Sequence, residues 1–195
     1  MYDYIKGTII ELTPTGLTLE CNGIGYSLQI SLQTYDALQQ QEKAVVYVHH
    51  YIREDEQTFY GFATKDEREL FRLLISVSGI GVASARMMLS SLTSEEIRSA
   101  ILAEDIHKIK SVKGIGLKSA QRLILELKDK VVKGGGSDNT VLFRADSSAL
   151  ADEATTALVL LGFSKPAIHK LMPTLLKEMP EAKVEDLIKA ALKRL

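Results

Sequence analysis

Two ten-residue segments carry the residues best suited to chemistry. Ser76-Val77-Ser78-Gly79-Ile80-Gly81-Val82-Ala83-Ser84-Ala85 recurs as Ser111-Val112-Lys113-Gly114-Ile115-Gly116-Leu117-Lys118-Ser119-Ala120, a shift of 35 with seven of ten positions identical. The paired glycines permit positive φ and let a ligand approach the backbone. The central isoleucine is placed to plug a small core between two helices. The helix that follows presents its unpaired first amides, with their partial positive charge, to an anion. That chemistry is a sequence-independent phosphate clamp, the helix-hairpin-helix pattern, and two copies can grip one DNA backbone without reading its bases. A dinucleotide fingerprint is the competing reading of such a motif, but it follows a strand, and here helical patterns precede both copies. Lys118-Ser119 also lacks the glycine that a Walker A loop places directly before its lysine. The copies differ in charge: Lys113, Lys118 and Arg122 stand where the first has Ser78, Ala83 and Met87, with Arg86 its one nearby cation. The expected phosphate-binding set is therefore Gly79, Ile80, Gly81 and Arg86 together with Lys113, Gly114, Ile115, Gly116, Lys118 and Arg122.

The elements that must position these residues follow from composition and periodicity. The chain has 195 residues, 46% hydrophobic and 25% charged, enough to bury genuine cores in one or two domains. Its overall charge of −1 conceals an asymmetry, because residues 1–63 sum to −5, residues 64–133 to +4 and residues 134–195 to zero. Phosphate contacts belong in the cationic middle third. Residues Tyr4–Leu12, Leu17–Cys21, Gly25–Leu32, Ala44–Ile52 and Gln57–Phe62 read as strands separated by turn residues, with a helical piece near Thr34–Gln39. Five short strands in so few residues fit an OB-fold barrel. At Thr64 the period changes; Thr64-x-x-Glu67 and Thr93-x-x-Glu96 are capping boxes that open helices in a proline-free stretch to Val132. The glycine-rich run from Lys133 reads as a flexible linker over about 134–147, and helical spacing then returns for a small three-helix module, 148–195. The fold class is thus α+β and multidomain: barrel 1–63, tandem hairpins 64–133, linker, and a three-helix bundle.

Several functions are excluded or disfavoured. The longest uncharged stretch, Cys21–Tyr35, is 15 residues and polar, so no membrane span is expected, and the N-terminus lacks a signal core. A lone Cys21 allows no internal disulfide and suits a reducing cytoplasm; with four scattered histidines it assembles no zinc site, and no cofactor is expected. His49 and His50 point to opposite faces of a strand and read as structural. A glycosylase or nuclease would need a Lys/Asp pair or an acidic metal cluster beside the hairpins, whereas the tight acid run, Glu54–Glu56, lies on the barrel. A general OB-fold strand binder would need aromatic platforms, and this chain is 6% aromatic with an acidic barrel third.

The ordered combination of these features resembles the RuvA family, the Holliday-junction-binding subunits of the bacterial branch-migration complex. It is carried by Gly7, Asn22-Gly23-Ile24-Gly25-Tyr26, Arg53-Glu54-Asp55 with Tyr60-Gly61-Phe62, both hairpins, Leu123-Ile124-Leu125-Glu126-Leu127-Lys128, the linker and the last module, which together span essentially the whole chain. The resemblance implies a non-catalytic homotetramer that holds a four-way junction open and square, with barrels at the centre and hairpins on the arms. It implies an acidic pin at Glu54 and Asp55, leaving Glu56 unassigned. It further implies that 148–195 recruits the RuvB ATPase, with Leu158, Leu161 and Leu171 as candidate contacts, and that the RuvC resolvase joins the wider complex. Relatives often carry Pro-Lys after the first Gly-Ile-Gly, where this chain has Val82-Ala83, so backbone amides and Arg86 must serve there. The alternative is a general hairpin and OB-fold DNA-repair protein without junction specificity.

Overall fold

The computed structural model describes residues 2–134, 147–179 and 182–194, and these fall into two compact units. In the first unit, strands β1 (Tyr4–Thr13), β2 (Gly16–Cys21), β3 (Ile24–Ile30), β4 (Lys43–Ile52) and β5 (Gln57–Phe62) close into a barrel in the order β1–β2–β3–β5–β4. The β3–β5 pair is parallel and the others are antiparallel. Strand β1 belongs to both sides of the closure, pairing with β4 from Tyr4 to Thr8 and with β2 from Thr8 onward. Gly7 makes that crossing possible, because a Cβ there would collide with the Glu20 carbonyl. Period-two alternation fills the barrel with Leu17, Leu19, Leu28, Ile30, Val46 and Val48, each no more than 2% exposed.

Helix α1 (Leu32–Leu38) bridges β3 and β4. The sequence reading carried the third strand through Leu32; the strand instead stops at Ile30, because Ser31 caps the helix with its Oγ on the Thr34 amide at 3.0 Å. Five helices follow: α2 (Lys65–Ile75), α3 (Val82–Ser91), α4 (Ser94–Leu102), α5 (Ile106–Lys110) and α6 (Leu117–Gly134). Their core is built on Leu70, Phe71, Leu74, Met88, Ile97 and Leu123, all fully buried. Burying each such side chain stabilises the fold by about 1.5–3 kcal/mol. Strand β5 serves both cores. Gly61 faces Val46, Leu28 and Ile30 inside the barrel, while Tyr60 and Phe62 pack on Phe71 of α2 at ring-centroid separations of 5.2 and 4.9 Å.

Polar contacts fix the helices to the barrel. Thr64 caps α2 by accepting from the Glu67 amide at 3.1 Å, but the second half of the expected capping box does not form. The Glu67 carboxylate, 0% exposed, turns instead to α1, where Ser31 Oγ donates to one oxygen and Thr34 Oγ1 to the other at 2.7 Å. Both hydroxyls are free to donate because each already accepts a backbone amide, from Thr34 and Ala63 respectively. The buried Arg68 donates to the Asp3 carbonyl at 2.7 Å and to its carboxylate, while Gln33 exchanges hydrogen bonds with the Ser94 backbone and hydroxyl. At α4 the capping box is complete, with Thr93 and Glu96 each satisfying the other's amide.

The second unit holds α7 (Ser147–Leu160), α8 (Lys165–Glu178) and α9 (Val184–Leu192) around Ala154, Leu158, Ile168, Met172, Leu175 and Leu187. The stretch read as a linker lies outside the described residues, apart from its ends at Gly134 and Ser147.

Candidate nucleic-acid interface

The repeat in the sequence is a repeat in the backbone. In the first hairpin the Ile80 amide donates to the Val77 carbonyl at 3.0 Å, and in the second Ile115 donates to Val112 at 3.1 Å. Ser76 Oγ and Ser111 Oγ each turn back onto a carbonyl, of Leu73 and Lys108, at 2.7 Å. Gly79 and Gly114 hold φ of +92° and +91°, a region that a side chain would strain. Ile80 and Ile115 are 4% and 5% exposed, the expected plugs of the turn. The Gly81 and Gly116 carbonyls then open α3 and α6 by accepting the Ala85 and Ala120 amides at 2.9 Å. No side chain caps α3, and a Cβ added at Gly81, Gly114 or Gly116 would meet open space. At α3 the first helical amides thus have no side-chain cap, and the glycines of both turns border open space, an arrangement that can cradle a phosphate oxygen.

Their side chains diverge. Lys113 and Lys118 are exposed on the second hairpin, and neither makes an ion pair among the described residues. Arg122, expected as a third cation there, shares its charge with Glu126 one turn along α6 at 3.2 Å. Such an exposed pair is worth only about 0.3–0.5 kcal/mol and yields easily to a phosphate. Arg86 is more firmly held. Rather than standing free at the first hairpin, its Nη1 donates to the Gln29 side chain and to the Thr15 carbonyl, both on the barrel. The reason lies in α3's packing beside α1 and the barrel, which brings a carbonyl and an amide oxygen within its reach.

The Glu54–Asp55 pair sits at the tip of the β4–β5 hairpin, where Ile52 faces Gln57 and the Arg53 amide closes the turn on the Glu56 carbonyl at 2.8 Å. Both carboxylates are exposed. Glu56, which sequence left without a role, accepts from the Thr58 hydroxyl at 2.6 Å and so braces the turn. Arg53 was missed by sequence reasoning: its Nε donates to the Tyr51 hydroxyl at 2.8 Å, and this bond holds the guanidinium above its ordinary pKa. Its place in the Arg53-Glu54-Asp55 segment that carries the resemblance, beside an acid run, did not set it apart from a solvated charge.

The histidines divide between faces as expected. His50 stacks on Phe59 at 4.4 Å, while His49 lies against Phe71, where burial and then the Arg72 charge push its imidazole pKa down. Among the described residues no three His, Cys, Asp or Glu groups gather as a metal site, and no helix is long and apolar enough to cross a membrane.

In the second unit, Leu158 is 0% exposed inside the three-helix core, so its burial corrects its reading as a contact for a docking partner. Leu171 is half-buried against the same core, and Leu161 is exposed at 59%. Leu160, which sequence spacing did not separate from core positions, is 83% exposed.

Comparison with known proteins accounts for the whole arrangement. Residues 1–61 match the RuvA N-terminal domain, residues 71–129 a SAM-like helix-hairpin-helix tandem, and residues 149–195 the RuvA C-terminal domain. The chain is 51% identical over its full length, and the relative's, to the Holliday junction branch migration complex subunit RuvA of Christiangramia forsetii. It is 46% identical to the protein of that name in Bacteroides thetaiotaomicron and 44% to that in Flavobacterium psychrophilum, again over all of each chain. With barrel, tandem hairpins and C-terminal helices in the same order and the likeness unbroken from end to end, the chain belongs to the RuvA family.

Proposed function

We propose that this chain is a non-catalytic subunit that binds four-way DNA junctions as a homotetramer and recruits the RuvB ATPase for branch migration, with RuvC joining the wider complex in the cytoplasm. The observation that carries this reading is the doubled backbone cradle, two hairpins of matching geometry on one compact unit with an acid pair at the tip of its barrel hairpin. In this scheme residues 1–63 bring the pin to the centre of the junction, 64–133 hold the arms, 134–147 tether the last module, and 148–195 dock the motor. Gly79–Gly81 and Gly114–Gly116 hold phosphates through backbone amides, and Lys113, Lys118 and Arg122 add charge that follows the backbone without reading sequence. Glu54 and Asp55 act by repulsion, each costing about 0.5 kcal/mol against a phosphate 8 Å away in water. Four subunits multiply that cost at one point, so continuous duplex is penalised there while an open crossover escapes. On the C-terminal unit, exposed Leu161 and its neighbour Leu160 are the side chains suited to a partner's apolar groove.

The test is a salt titration of binding to a synthetic four-way junction and to linear duplex of the same arm sequence. Preference for the junction with a steep salt slope is expected. Glu54→Gln/Asp55→Asn should then tighten duplex binding and shrink the preference; equal affinity of the wild-type protein for both DNAs would overturn the junction reading.

A further inference from the structure

Arg53 stands in a run with three carboxylates, Glu54, Asp55 and Glu56, yet it pairs with none of them among the described ion pairs. It turns down the strand. Its Nε is on the Tyr51 hydroxyl and its guanidinium carbon lies 5.2 Å from the Tyr51 ring centroid. Tyr51 meets Tyr60 edge-on at 6.3 Å, and Tyr60 stacks on Phe71 of α2, the helix that leads into the first hairpin. Arg86 of α3 reaches the strand beside that tyrosine: its Nη1 donates to Gln29, which stands opposite Tyr60 in the β3–β5 ladder. Two guanidiniums are thus anchored around one position on β5, Arg53 through Tyr51 at the pin's foot and Arg86 through Gln29 beside the first hairpin. Each is anchored through a single nitrogen, Arg53 by Nε and Arg86 by Nη1, which leaves donors on both for another acceptor.

We propose that Arg53 and Arg86 form a phosphate site at the foot of the acidic pin, supplying the first hairpin with the cationic charge that Ser78 and Ala83 do not. Its ligand is a backbone phosphate of the strand leaving the crossover. Arginine suits this place because a planar fork held at one nitrogen offers paired donors to phosphate with little further ordering. The pin is then bipolar: carboxylates at the tip turn the duplex aside and the arginine at its foot catches the separated strand. This rests on the junction-binding reading above, and the experiment separates the two.

The full chain is titrated with four-way junction and with duplex over a salt series as wild type, Arg53→Gln, Glu54→Gln/Asp55→Asn and the triple variant. Tyr51→Phe is added to loosen the anchor, and thermal melts check that each variant folds. Arg53→Gln is expected to weaken junction binding about fivefold and to lower the salt slope by about 0.9 for each phosphate it no longer neutralises. The loss should be the same factor with and without the neighbouring acids, and Tyr51→Phe should give part of it. A loss that disappears once Glu54 and Asp55 are neutralised would show that Arg53 only offsets its neighbours, and an unchanged slope would show that it touches no phosphate; either overturns the site. Failure of the junction reading shows up differently, as wild-type affinities equal for both DNAs.

Discussion

In the first hairpin the turn of Gly79 and Ile80 leads into a helix whose arginine reaches back to Gln29 and Thr15 of the barrel, while the helix before it is held by the buried Glu67. In the second, the same turn at Gly114 and Ile115 is flanked by Lys113 and Lys118 standing in solvent. The equivalent backbone hydrogen bonds of the two agree to within about 0.2 Å, so the turn geometry itself is repeated intact. What diverged is the surroundings. One copy has its arginine anchored on the barrel; the other leaves Lys113 and Lys118 exposed, without ion pairs among the described residues. Duplication fixes a geometry, and the two copies can then divide positioning from affinity.

The sharpest way to break this contrast is to cut the anchor of the first copy. Glu67→Ala leaves the Ser31 and Thr34 hydroxyls without their acceptor in a sealed site and should cost about 2–4 kcal/mol in urea or thermal unfolding. A loss under about 1 kcal/mol would mean that the first hairpin does not depend on the barrel in this way. Burial holds the Glu67 carboxyl above its usual range. The folded chain therefore keeps that proton where the unfolded chain has released it, and the associated stability is present at low pH and lost as pH rises through the folded pKa. Glu67→Gln should lack that falling limb.

Next in size is the grip of the second copy. Lys113→Gln/Lys118→Gln should weaken junction binding about thirtyfold near 0.1 M salt and reduce the logarithmic salt slope by about 1.8, leaving the melting temperature unchanged. A slope that stays put would place the phosphate contacts elsewhere. The smallest and most informative change runs the other way. Ser78→Lys/Ala83→Lys writes the second copy's charges onto the first and should tighten binding about fivefold with a steeper slope. No gain would mean that the first cradle is not aimed at a phosphate.

The elements legible in sequence were those whose causes are local. Alternation marked the five strands, and the two glycine turns declared themselves because a positive φ and a buried plug recur at a fixed spacing. Where the structure departs most from the sequence reading, the cause is often a partner distant in the chain. Glu67 satisfies every local condition for a capping box, yet hydroxyls 33 and 36 residues away outcompete the Thr64 amide. Arg86 has carbonyl and amide oxygens 71 and 57 residues away. Leu158 and Leu161 both lie on the same short apolar run, and only the packing of α8 and α9 decides that one is core and the other surface. Arg53 stayed hidden for a different reason: its partner Tyr51 is only two residues away, but a cation beside three acids is ordinarily read as their neutraliser.

Strand β5 has a consequence for how the molecule holds together. One side of it lines the barrel and the other, through Tyr60 and Phe62, lines the helical core. Stripping either layer away would expose aromatic rings worth about 1.5–3 kcal/mol each, so neither layer has an independent melting point of its own to fall back on. Barrel and helical turns are therefore expected to unfold in one cooperative transition, as one compact unit. A single strand whose alternate residues belong to different interiors thus ties the β4–β5 hairpin and the helical turns into one body.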